Sequence, residues 1–177
     1  DPAPKPYVLS WAQWHWNSGA QELVAQVSRE FVPVLVTSQR GVGKGEMSLA
    51  TLTEIHENMQ AELGKTPFAA IYAYTGLPDD LNEAKPNPQM IHRAAEELNL
   101  DLAASWLIGD ADRDIEMAKS AGVGRTIRVD GLKPIGTQAD FTVQNLDEAS
   151  KLFEKHTLPH ETWCSPRTWP IWFRRKP

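Results

Sequence analysis

The chain has 177 residues, enough for one domain with a two- or three-layer core. Its 41% apolar and 23% charged residues match a globular domain, and a net charge of -5 speaks against a nucleic-acid binder. No apolar run approaches the roughly 18 residues that span a bilayer. The single Cys164 excludes an internal disulfide and a Cys-rich zinc site.

Residues 1–6, DPAPKP, form a proline-rich lead-in that cannot be regular helix or central strand. The chain starts at Asp1 rather than Met, which raises the expectation of a removed leader or tag. Tyr7-Val8-Leu9 is expected as a short strand. Residues 18–30 predict a helix, with Leu23, Val24 and Val27 on one stripe. FVPVLVT, 31–37, is β-branched and apolar like a buried parallel strand, and Pro33 places an edge or a strand start there. QRGVGKGE is a glycine-rich loop without P-loop spacing. Ser48 then caps a helix whose stripe is Leu52, Ile55, Met59 and Leu63.

FAAIYAY, 68–74, predicts the next strand, and Pro88 opens a helix with Ile91, Ala94, Ala95 and Leu98 inward. SWLI predicts another short buried strand. Asp112 or Asp114 opens the following helix, and Gly122 closes it. RTIRV at 125–129 and FTV at 141–143 are strands, and LDEASKLFEKH is a last helix. This alternation predicts βαβ units and a parallel sheet with helices on both faces. Ligands then belong at the carboxyl ends of the strands, at Thr37-Ser38, Lys85 and Asp110–Asp114.

VLVTSQRGVGKGEM, the AKPNP context of Lys85 and the strand ending GDADRD stand in the order of motifs two, three and four of the haloacid dehalogenase (HAD) superfamily. They look like the histidinol-phosphate and heptose-bisphosphate phosphatase branch. The resemblance runs over about residues 20–153 and implies a HAD-like α/β Rossmannoid fold without a large cap domain. It divides the chain into the lead-in 1–6, the domain 7–155 and an extended tail 156–177. In that family an aspartate attacks phosphorus, a second acid handles the leaving-group proton, and Mg²⁺ neutralises charge. Carried over, Thr37, Ser38 and Lys85 would bind phosphate, Asp110 would be a metal ligand, and Asp114 a second-sphere or direct one.

The first motif departs from the family pattern. Laid on its DxDGT, PYVLSWAQWHW puts Ser10 at the nucleophile and Ala12 at the acid/base. Serine lacks a base here, and the loss of one carboxylate weakens a magnesium site. Trp11, Trp14 and Trp16 are expected to fill the pocket. A true first motif upstream is not expected, because the central strand would go with it. The Cys/His zinc loop and the arginine before Lys85, here Ala84, are also missing.

The expectation is therefore a catalytically inactive phosphatase-like protein, a structural or accessory subunit of a larger assembly. Catalytic residues and cofactor are then absent, and Thr37, Ser38, Lys85, Asp110 and Asp114 are vestigial. The acids would cap a helix, and Lys85 would either bind an anion or pair with Asp110 in an emptied pocket. The tail supplies contact residues: Trp163, Trp169, Trp172, Arg174 and Arg175. Removal of that tail after Lys155 should leave a folded domain. Partners would be protein subunits rather than zinc or nucleic acid, and peripheral membrane contact stays open. A mitochondrial location is expected, otherwise a cytoplasmic one. Two alternatives stand beside this: a Mg²⁺-dependent phosphatase of a small phosphorylated metabolite, and a module that binds a phosphate ligand.

Overall fold

Apolar side chains alternate between two faces along the inner strands. Val34 and Val36 of strand 32–38 join one core, and Leu35 between them joins the other. Leu107 likewise faces the first core, with Trp106 and Ile108 facing the second. A sheet apolar on both faces must be covered on both. The computed structural model describes residues 7–80, 83–131, 134–157 and 171–175, the last of these as backbone. Its strands are β1 (Val32–Ser38), β2 (Ala70–Tyr74), β3 (Leu100–Gly109), β4 (Arg125–Val129), β5 (Phe141–Val143) and β6 (Ile171–Arg175). Helices α3 (Gln89–Glu97) and α4 (Asp112–Ala121) cover the first face. Helices α1 (Ala20–Val27), α2 (Leu49–Leu63) and α5 (Leu146–Thr157) cover the second.

The strands stand in the order β2-β1-β6-β3-β4-β5. β1 runs parallel to β2, and β3, β4 and β5 are mutually parallel. β6 lies between β1 and β3, antiparallel to both. Part of the expected extended tail is thus backbone inside the sheet, and Trp172, Arg174 and Arg175 sit on this strand. Trp163 and Trp169 lie outside the described residues. IWFRR is short, with two charged residues in five, and its pairing partners are more than sixty residues away, so nothing local marked it as an inner strand.

Local signals account for most of the rest. Ser48 accepts the Thr51 amide at 3.0 Å and starts α2, whose four stripe residues are all buried. Gly122, at φ 80°, ends α4 in the left-handed conformation that glycine adopts without strain. Pro33 is the second residue of β1, where an absent N–H is tolerated, but β1 is an inner strand rather than an edge. β3 starts earlier than SWLI suggested. Asp101 accepts the Ala104 amide at 3.2 Å, and the pairing with β6 shifts register between Asp101 and Trp106.

The expected strand at Tyr7–Leu9 does not form. The Leu9 amide donates to Gln13 Oε1 at 2.8 Å, and Gln13 N donates to Ser10 O at 3.1 Å. These bonds close a 3-10 turn, Trp11–Gln13, so the local turn takes the donors that a strand would need.

Candidate functional site

β1 ends with Thr37 and Ser38 at the rim of a cavity of about 520 Å³. Tyr7, Trp14, Gln39, His56 and Arg113 also line it. Gln39 Nε2 donates to Thr37 Oγ1 at 2.9 Å, which leaves the Thr37 hydroxyl proton for another acceptor. Burial pushes the His56 imidazole below its ordinary pKa, so it presents a neutral ring to the cavity near pH 7.

Lys85 reaches the same end of the sheet from the loop before α3. Its Nζ donates to Val36 O at 2.9 Å and to Asp114 Oδ1 at 2.8 Å. Both side chains of this pair are nearly buried, 12% and 8% exposed. Lys85 therefore pairs with Asp114 rather than with Asp110, the partner that one of the two expectations named. The other Asp114 oxygen accepts the Ala111 amide at 3.1 Å, the bond that caps the first turn of α4. Close approach allows this: a Cβ on Gly109 would lie 2.3 Å from that of Asp114. Asp112 bonds the fully buried Arg128 at 2.8 Å and the Gly136 amide at 2.9 Å. Backbone N–H groups of Gly136 and Thr137, then Arg128, hold its carboxyl below the ordinary aspartate range. Asp114 and Asp112 thus order α4 and its neighbours.

Asp110 is exposed at the end of β3 and lines a second groove with Ser18, Gly109, Val129 and Asn145. Thr37 and Asp110 end strands that flank β6, about 10 Å apart at two strand spacings. Magnesium is commonly held by one or two carboxylates together with water and phosphate oxygens. Asp110 suits one such position. Asp114 is buried and already accepts from Lys85 and from the Ala111 amide, which suits it to order the site beside such a ligand. Among the described residues no group of three or more His, Cys, Asp or Glu could hold a metal ion. The described residues supply one magnesium ligand, not a complete site.

Ser10 and Ala12 do not occupy a strand end. Ser10 precedes the 3-10 turn, and Ala12 lies within it. The indoles do not fill the pocket either. Trp11 and Trp14 stack at 6.2 Å, Trp14 meets Trp16 edge-on at 5.6 Å, and Trp16 Nε1 donates to Glu62 at 2.5 Å. This packing draws them against α2, and Trp14 forms one wall of a cavity that stays open. The pattern of motifs did not reveal His56, Gln39 or Arg113. Arg113 was visible as a lone cation inside GDADRD, but its address was not.

A family model described as HAD-hydrolase-like matches residues 82–149. The D-glycero-beta-D-manno-heptose-1,7-bisphosphate 7-phosphatase of Photorhabdus laumondii is 34% identical over 146 residues, 76% of this chain and 77% of that protein. Its counterpart from Yersinia pestis is 32% identical over 136 residues, covering 68% and 72%. Among solved structures, the D,D-heptose 1,7-bisphosphate phosphatase from B. bronchiseptica, complexed with magnesium and phosphate, superimposes with a TM-score of 0.73. It is 26% identical and covers 86% of this chain and 91% of its own. These relatives overturn the expectation of an inactive structural subunit, since each is named as a phosphatase. That expectation weighed the mismatch of Ser10 and Ala12, a segment that does not sit where a first motif would. With two thirds or more of such relatives matched at this identity, the chain belongs to the HAD superfamily, in the branch of the heptose-bisphosphate phosphatases.

Proposed function

We propose that the protein is a magnesium-dependent phosphatase of a small phosphorylated metabolite, with a heptose bisphosphate as the first substrate to test. One observation carries this: the carboxyl end of β1 keeps an open cavity rimmed by Thr37 and Ser38, Lys85 reaches the Val36 carbonyl at that end, and the end of β3 presents Asp110 to a second groove. The relatives named for heptose bisphosphates support the substrate class, and the neighbour complexed with magnesium and phosphate supports the metal. This replaces the expectation that no cofactor is needed.

In this reading hydroxyl donors at the end of β1 hold the phosphate oxygens, and Asp110 contributes a metal ligand. Bound magnesium would neutralise charge on the phosphoryl group. Ser10 and Ala12, at the 3-10 turn, supply no carboxylate for attack on phosphorus.

Phosphate release from D-glycero-D-manno-heptose 1,7-bisphosphate with added Mg²⁺ is the direct test. Turnover that chelation of the metal stops, and that Asp110→Asn abolishes, is the expected result. Phosphate binding without any release would refute the phosphatase and leave the phosphate-binding module in its place.

A further inference from the structure

We infer that His56 reads the body of the ligand in this chain: its imidazole hydrogen-bonds a hydroxyl of the metabolite, beside the phosphate group held at the end of β1. The inference rests on the proposed function for the phosphate, but it concerns a helix residue outside every motif.

α2 supplies the position. Leu52, Ile55 and Met59 are buried along this helix. His56 follows Ile55, about 100° further round, and shares a face with Leu52 four residues before it and Met59 three after it. All four line the cavity that Thr37 and Ser38 rim. The buried stripe thus turns its edge to the ligand space, and an imidazole stands there amid an otherwise apolar wall.

That imidazole is unspent. Among the described residues no hydrogen bond or ion pair engages it. Burial is the one cause that lowers its pKa, with no neighbouring charge or bond contributing. Near pH 7 the neutral ring offers one donor and one acceptor. A hydroxyl both donates and accepts, so it can use either nitrogen. A phosphate oxygen only accepts, and it finds donors at Thr37, whose hydroxyl proton Gln39 leaves free, and at Ser38. Lys85 stands at that same strand end.

Around His56 the wall is Trp14, Leu52 and Met59, where a ligand hydroxyl finds little to bond. The imidazole is therefore the discriminating contact. A site built to bond a hydroxyl rejects a ligand that lacks it far more sharply than an apolar wall could. At about 520 Å³ the cavity has room for a phosphorylated sugar.

Steady-state phosphate release from D-glycero-D-manno-heptose 1,7-bisphosphate with added Mg²⁺, with inorganic phosphate as the competing inhibitor, tests this. Wild type, His56→Phe and His56→Gln are compared, and thermal melts check that each folds. His56→Phe should lower kcat/KM about tenfold, the worth of one such hydrogen bond. It should leave the inhibition constant of inorganic phosphate, which has no sugar body, within about twofold. His56→Gln restores a donor and an acceptor and should recover part of the loss. If kcat/KM of His56→Phe stays within twofold of wild type, the assignment of His56 is overturned and the proposed function stands. The same holds if the inhibition constant rises by the factor that kcat/KM loses. If the wild type releases no phosphate, the proposed function falls and takes this assignment with it.

Discussion

Replacement of Lys85 by Met leaves the Asp114 carboxylate nearly buried without its ammonium partner. Lys85 and Asp114 lie 2.8 Å apart with side chains 12% and 8% exposed, so solvent screens the pair little. Removal of one member of a buried pair typically costs about 3–5 kcal/mol. The Val36 carbonyl loses a donor as well, a smaller effect of about 1 kcal/mol. Retained exposure and the capping bond of Asp114 favour the lower end, about 3 kcal/mol. For a domain of this size that is a drop in Tm of about 6–12 °C. A second change, Asp114→Asn, removes the stranded charge, and the double variant should recover part of the loss. Urea and thermal unfolding of the wild type, both single variants and the double variant give the coupling energy directly. A cost under about 1 kcal/mol for Lys85→Met, or a double variant whose cost is the sum of the two, would refute a buried structural pair.

Truncation after Thr157 removes β6, which pairs at three positions with β1 and at four with β3. At about 0.5–1.5 kcal/mol per backbone hydrogen bond the loss approaches the whole stability of a domain. The truncated chain should therefore lack a cooperative melt, against the expectation that it folds alone, and an unchanged urea midpoint would contradict the sheet order. Gly109→Ala would set a methyl 2.3 Å from Asp114 Cβ, so it should lower stability by about 1–3 kcal/mol and loosen the start of α4. Chemical unfolding measures the first, and amide exchange at Ala111 and Asp114 the second. Asp80 accepts three bonds, from the amides of Thr75 and Gly76 and from the Thr75 hydroxyl. Desolvation pushes its pKa up, but these bonds outweigh it and hold the carboxyl below its ordinary value of 3.8. The folded pKa lies below the unfolded one. Its contribution is thus complete above pH 3.8 and is lost as pH falls through the folded value. Asp80→Asn should flatten that acid limb in a pH series of melts and leave the neutral limb parallel to the wild type.

Elements held by contacts near in sequence were legible. RTIRV and FTV form strands at the expected residues, and Ser48 caps α2 as its side chain dictates. The motif residues Thr37, Lys85 and Asp110 could be placed at strand ends because a parallel sheet gathers those ends on one side. The choice of partner was not legible. Lys85 meets Asp114 rather than Asp110 because Asp114 sits one helical turn into α4 and turns back toward Gly109, and a string of alternating acids does not show that. The sequence also misjudged Ser10. A short apolar run beside three tryptophans resembled a strand, but Gln13 offered the Leu9 amide a local acceptor and the turn closed first.

β6 has a consequence for the order in which the chain assembles. Its slot lies between strands that begin at Val32 and Leu100, and the segment that fills it is the last of all to leave the ribosome among the described strands. Until it arrives, β2-β1 and β3-β4-β5 are two half-sheets with facing edges unpaired. Closure over such separations is slow, because long loops lose entropy before the new contacts form. Open strand edges in that interval invite pairing with other chains. Yield in cells should then depend on chaperones or on slow synthesis at low temperature.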